Sequence, residues 1–138
     1  MKKKVLFAAV LLIVAVFAAV RLFDRRGDIR GVERIVGQSS IYTEAEIQAA
    51  MDVVQQHFRK NFEGCKLLRI EYDEGKTLTE RYYRSEQYGV ERTIVLESDV
   101  YVGFDADGSL NPDYTYNDWK WILTDEGDGW VLRTAGYG

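Results

Sequence analysis

Sixteen consecutive uncharged, mostly apolar residues, Val5 to Val20, stand behind three lysines in "MKKKVLFAAVLLIVAVFAAVRLF". At roughly 1.5 Å rise per residue the run makes a helix of about 24 Å, a little short of a hydrocarbon core of about 30 Å. Lys4 and Arg21 can close that gap by extending their charged ends to the headgroups. The run predicts a signal anchor, an N-terminal transmembrane helix over residues 1–23. A cleaved signal peptide is the alternative, with Val16-Phe17-Ala18 as a small-residue cleavage site. Apolar residues continue to Val20 and resume at Leu22-Phe23, which favours an uncleaved anchor. No cysteine follows the run at a position suited to lipid attachment.

Orientation follows from Lys and Arg near the segment ends. Lys2, Lys3 and Lys4 face Arg21, Arg25 and Arg26 across the span, a thin margin. Because so short an N-terminal segment normally stays inside, the expectation is a single-pass protein of the cell membrane with its C-terminal domain outside, or a secreted one if the signal is removed. From Gly27 onward 12 Lys and Arg meet 21 Asp and Glu, a net charge of −9. Such an acidic domain is repelled by nucleic acid and by anionic headgroups, so affinity for neither is expected and no nucleic-acid partner is foreseen. Cys65 is the only cysteine, so no intramolecular disulfide can form and the fold must rest on its core.

"RRGDIRGVERIVGQSS" has charges, three glycines and no clear apolar period, and residues 24–40 are expected to form a juxtamembrane linker. Its Arg26-Gly27-Asp28 matches a tripeptide read by adhesion receptors, but three residues carry little information, and a solvated linker is the plainer reading. Thr43 and Glu46 then have capping-box spacing, and Ile47, Ala50, Met51, Val54, Phe58 and Phe62 repeat at helical intervals before Gly64. A helix is predicted over Glu44 to Glu63. "CKLLRIEY" predicts a strand with Leu68, Ile70 and Tyr72 on one side. A second helix is expected from Thr77 and Glu80 as a capping box, with Leu78, Tyr82 and Ser85 on its apolar stripe and Gly89 as its stop.

Beyond Gly89 the signal is strand. Ile94, Leu96, Val100, Val102 and Phe104 alternate on one face with Ser98 the exception, and Trp119, Trp121 and Leu123 share another. "EGDG" supplies hairpin chemistry before "WVLRTAGY". The expected domain, residues 41–138, is α+β: a long helix packed on a four-stranded antiparallel sheet in the order α-β-α-β-β-β.

That order, with Trp119-Lys120-Trp121-Ile122-Leu123, the turn at Gly127 to Gly129 and Trp130-Val131-Leu132, resembles the nuclear transport factor 2-like, cystatin-like cone superfamily. The stretch from "SSIYTEAEIQAA" to "AGYG" also resembles small exported or membrane-anchored domains of unknown function in Gram-positive bacteria. The resemblance covers about three quarters of the chain and implies a curved sheet wrapping the long helix to enclose a cone. It implies no activity, since the superfamily holds isomerases, dehydratases, ligand binders and accessory domains.

Candidate chemistry is sparse. Setting Gly108 at the sixth position of an EF-hand-type loop places Asp105, Asp107 and Asn111 at ligand positions, but Gly103 and Tyr114 then occupy the first and twelfth, which need strong ligands. A turn built on Asp-Gly and Asn-Pro is favoured over calcium. His57, the sole histidine, lies at the margin of the helix's apolar face, where a boundary role outweighs that of a base. Asp99 with Tyr101 would supply an acid and a phenol, yet their strand phase opposes the apolar face. Cys65 reads as a buried small residue. Eight of the 18 aromatics fall from Tyr101 onward, and Met51, Phe58, Trp119, Trp121 and Trp130 line either a pocket or the core, with core packing favoured because a small domain without disulfides needs large buried side chains. No catalytic residue and no cofactor is expected. The function expected is that of a membrane-anchored, extracytoplasmic binding or accessory domain, with a protein partner at the cell envelope or a small-molecule ligand left open. The alternatives are a cone-pocket enzyme of hydratase or isomerase type, and a structural partner of another envelope protein.

Overall fold

Lys2–Leu22 forms helix α1, a single helix long and apolar enough to cross a membrane, a property that signal sequences share. Its apolar side chains are exposed. The computed structural model describes every residue except Phe23, Asp107 and Gly138, and of residues 21 and 22 the backbone alone. The domain that follows runs β1 (Glu33–Ile35), α2 (Glu44–Asn61), β2 (Cys65–Tyr72), α3 (Glu74–Tyr88), β3 (Thr93–Val102), β4 (Tyr114–Asp125) and β5 (Trp130–Gly136).

The strands form one five-stranded sheet in the order β1-β2-β3-β4-β5, antiparallel except for β1, which runs parallel to β2. This corrects the expectation of four antiparallel strands: the fifth comes from the segment read as a linker. Parallel neighbours need a long crossover, and α2 supplies it. Two features hold β1. Arg34 sends Nε to Gln55 Oε1 at 2.6 Å, Nη1 to Gln48 Oε1 at 2.6 Å and Nη2 to Asp52 Oδ1 at 2.7 Å, gripping the polar side of α2. Ile29, Val32 and Val36 around it pack, partly buried, on the core.

Helix α2 begins as its sequence requires. Thr43 Oγ1 accepts from Glu46 N–H at 3.2 Å while Glu46 Oε2 accepts from Thr43 N–H at 2.8 Å, closing the capping box. Ile47, Ala50, Met51, Val54 and Phe58 are all buried on its sheet-facing side, so the 3.6-residue period translates directly into the core. The helix ends at Asn61, with Phe62 as C-cap donating to Phe58 O. Gly64 follows at φ +73°, and a Cβ there would lie 2.8 Å from Ala106 Cα, so both its backbone conformation and its close contact call for glycine.

Strand β2 departs from simple alternation. Leu67 pairs with Val100 and Arg69 with Asp99, so Leu68 is the extra residue of a bulge. The bulge shifts phase: Cys65 and Leu67 before it, and Ile70 and Tyr72 after it, face the core, and Leu68 is exposed rather than sharing a face with Ile70. On β3 the expected Ile94, Leu96, Val100 and Val102 are buried, but Phe104 lies beyond the strand and is 84% exposed. The exceptional Ser98 is explained by its neighbour: it is fully buried, and its Oγ accepts the indole N–H of Trp121 at 2.9 Å.

Helix α3 starts three residues before its expected cap. Asp73, not Thr77, is the N-cap, its carboxylate accepting from Lys76 N–H at 2.7 Å. Thr77 instead lies fully buried, accepting from Val95 N–H at 2.9 Å. Leu78 and Tyr82, expected as an apolar stripe, are therefore turned outward and exposed. Gly89 ends the helix at φ +66°.

Candidate functional site

The interior between α2 and the sheet is packed by Met51, Phe58 and Trp121, each fully buried, and by Trp119, nearly so. Phe62 bridges them: it stacks on Phe58 at 4.6 Å between ring centroids and meets Trp119 edge-on at 5.8 Å. His57 sits at the edge of this cluster, 6.2 Å from both Phe62 and Trp121, with its Nδ1 3.3 Å from Asn61 Nδ2. Trp130 is half-buried at the opposite end of α2, where its indole N–H donates to Glu46 O at 3.0 Å. There the Arg92 guanidinium lies 5.2 Å from the Trp130 ring and 5.3 Å from that of Tyr42, and its Nη2 reaches Glu46 Oε1 at 2.9 Å. The Thr43 amide and then Arg92 hold the Glu46 carboxyl below its usual range. All five aromatic and methionine candidates thus serve packing, four around the interior and Trp130 at its distal rim.

The other candidates are dispersed. Asp99 accepts from Arg69 Nε at 3.0 Å, while Tyr101 donates to Asp113 at 2.8 Å, so the two do not converge. Cys65 is buried, which pushes its thiol up. Asp105 offers its backbone oxygen to Arg25 at 2.8 Å, and the Asn111 N–H donates to Tyr116 Oη at 3.0 Å. Asp107 lies outside the described residues. Among the described residues, no three His, Cys, Asp or Glu side chains are grouped as a metal would require.

Two surface regions that sequence reasoning passed over are better formed. The first lies where α1 meets the domain. Gly64 N–H donates to Arg25 O at 2.9 Å, Gly27 N–H to Arg59 O at 3.1 Å, and Asp28 N–H to Cys65 O at 2.9 Å. A Cβ on Gly27 would meet Phe58 O at 2.2 Å, so the Arg26-Gly27-Asp28 tripeptide is locked against α2 and not displayed as a loop. Around it Asp24, Arg26, Asp28, Ile29, Arg30 and Arg59 line a hollow of about 260 Å³. Asp24 is bonded by Arg26 Nε at 3.1 Å and Arg59 Nη2 at 2.6 Å, and Asp28 by Arg30 Nε at 3.0 Å and Lys66 Nζ at 3.3 Å. Arg26 first and then Arg59 hold the Asp24 carboxyl well below the usual carboxylate range, and Arg30 does the same for Asp28.

The second region is the outer side of α3. Tyr82 is 71% exposed, Leu78, Tyr83 and Tyr88 are exposed beside it, and Tyr83 and Tyr88 meet edge-on at 6.3 Å. Leu78, Arg81, Tyr82, Ser85 and Glu91 line a shallow hollow there.

No family model matches the chain, and neither a curated protein nor a solved structure matches it significantly.

Proposed function

We propose that this is a membrane-anchored extracytoplasmic domain that acts by binding, as an accessory module for another envelope protein, and not by catalysis. The observation that carries the reading is the filled interior. A hydratase or isomerase of the cone type needs a cavity with convergent polar groups between helix and sheet, and here Met51, Phe58, Trp119 and Trp121 occupy that space. A docking surface is available instead on α3, where Leu78, Tyr82, Tyr83 and Tyr88 form an exposed patch rich in tyrosine, a residue enriched in protein interfaces. The partner that fits is a protein surface with apolar pockets and hydrogen-bond acceptors for the phenols. A long capped helix lying on β2–β5 supports kinship with the cone superfamily, and the parallel β1 counts against it.

Topology and docking are tested separately. A membrane-impermeant maleimide applied to intact cells is expected to label E126C, with buried Cys65 as the silent background; labelling only after lysis would place the domain inside. A photo-crosslinking residue at Tyr82 is expected to give one discrete protein adduct in cells that Leu78→Asp abolishes. A crosslinker at Gln56, exposed on α2, should give none. Equal adducts at both sites, or none at either, defeat the docking surface.

A further inference from the structure

The hollow at the foot of the domain has a position and a chemistry that packing alone does not explain. Helix α1 ends at Leu22 and Asp24 already lines the hollow, so if α1 spans the bilayer the hollow lies at headgroup depth. Three guanidinium groups and two carboxylates line it, leaving one positive charge in a domain that is otherwise strongly acidic. Arg26 and Arg30 each spend Nε and Nη2 on the aspartate two residues earlier, and their Nη1 groups make no hydrogen bond among the described residues. Their side chains are 63% and 75% exposed, so those donors face outward. The backbone beneath is fixed by the bonds from Gly27 to Arg59 and from Asp28 to Cys65, which sets the two forks in place before any ligand arrives.

We propose that this hollow seats the phosphodiester of an anionic membrane phospholipid, with Arg26 and Arg30 donating to the phosphate oxygens and Ile29 against the adjoining apolar part of the lipid. Guanidinium groups match phosphate geometry, and bonds between two charged groups are stronger than neutral ones. Asp24 and Asp28 keep the forks oriented and, being held ionised, limit the net charge to a value that suits one phosphate and not a polyanion. The domain would then stand on the membrane at two points, its helix and a bound lipid. The inference rests on the anchoring proposed above.

The full chain is purified in detergent, phosphatidylglycerol is titrated in, and bound lipid is counted by native mass spectrometry. One lipid is expected to stay on the wild-type chain, with affinity falling about tenfold or more in R26Q/R30Q, as loss of bonds to a charged group implies. Thermal melting checks that the variant is folded, and R30Q alone is the second variant if the pair is destabilised. Equal retention by wild type and variant overturns the seat, as does no retention by either. Displacement of the lipid by millimolar inorganic phosphate overturns the lipid assignment in favour of a free anion. Alkaline carbonate extraction reads the anchor apart from the seat. Release of the chain overturns the anchoring and the lipid seat together, whereas a chain that resists carbonate but binds lipid equally in both forms overturns the seat alone.

Discussion

The two faces of the sheet are built on opposite principles. Toward α2, Ile94, Leu96 and Val100 of β3 meet Trp119, Trp121 and Leu123 of β4 and the helix's Met51, Val54 and Phe58 in one continuous apolar layer. On the other face, Val95 and Ile122 are buried beside each other, but they are flanked by charge: Glu97 pairs with Lys76, and Arg69 with Asp99 and Glu71. Of helix α3 only Thr77 is fully buried on that second face; Glu80 and Arg84 are partly buried as an ion pair, and Leu78, Tyr82, Tyr83 and Tyr88 stay outside. One face therefore holds the domain together through buried area, which scales with apolar surface removed from water. The other is held by a few polar contacts, which contribute less and leave side chains free to meet a partner.

The largest effect should come from the apolar face. Trp121→Ala removes a fully buried indole and its bond to Ser98, and is expected to cost about 3–5 kcal/mol in urea unfolding of the full chain. Thr77→Val should cost less, about 1–3 kcal/mol, because it leaves the buried Val95 amide without its 2.9 Å acceptor. Hydrogen exchange should show that loss concentrated in α3 while β4 stays protected; uniform loss would mean that α3 belongs to the same cooperative unit as α2. Arg69→Gln should cost under about 1 kcal/mol, the range of ion pairs near the surface. A cost near that of Trp121→Ala would show that the charged face is a second core and break the contrast.

Acid should act outside both faces, at the foot, where arginines hold Asp24 and Asp28 low, and at the distal rim. The Glu46 carboxyl is held low by the Thr43 amide and Arg92, and that of Asp125 by the Gly127 and Gly129 amides. A carboxylate with a lowered folded value contributes stability that is fully present above its unfolded value of about 4 and is lost as pH falls through the folded one. Melting temperature should therefore drop below about pH 4, and E46Q should flatten that drop; an unchanged slope in E46Q would move the acid sensitivity elsewhere.

Much of the architecture was legible in the sequence, for reasons that can be traced to particular residues. The cap at Thr43, the apolar stripe from Ile47 to Phe58, the alternation from Ile94 to Val102 and the hairpin at Gly127 to Gly129 each depend on residues within a turn or two of one another. Candidate packing residues were legible too, but their number and type could not distinguish a lined pocket from a filled one. The two surface regions left weaker traces. The Asp-x-Arg repeats at Asp24 and Asp28 were visible as charge, and Leu78 and Tyr82 of α3 as part of a stripe whose direction depended on how that helix met the sheet; Tyr83 and Tyr88 lay outside that stripe.

By itself the sequence determined the apolar N-terminal helix, the main helix with its buried face and the three C-terminal strands, because propensity, capping and periodicity act between near neighbours. Tertiary structure alone decided the rest. Strand β1 has three residues and no period of its own, and exists because β2, more than 30 residues away, offers it backbone partners and α2 receives Arg34. The choice of Leu67 over Leu68 for the core follows from a bulge that only pairing with β3 creates. The closing of the interior follows from how Phe62, at the end of α2, meets Trp119 and Trp121 of β4, a matter of shape between two elements that no local pattern encodes.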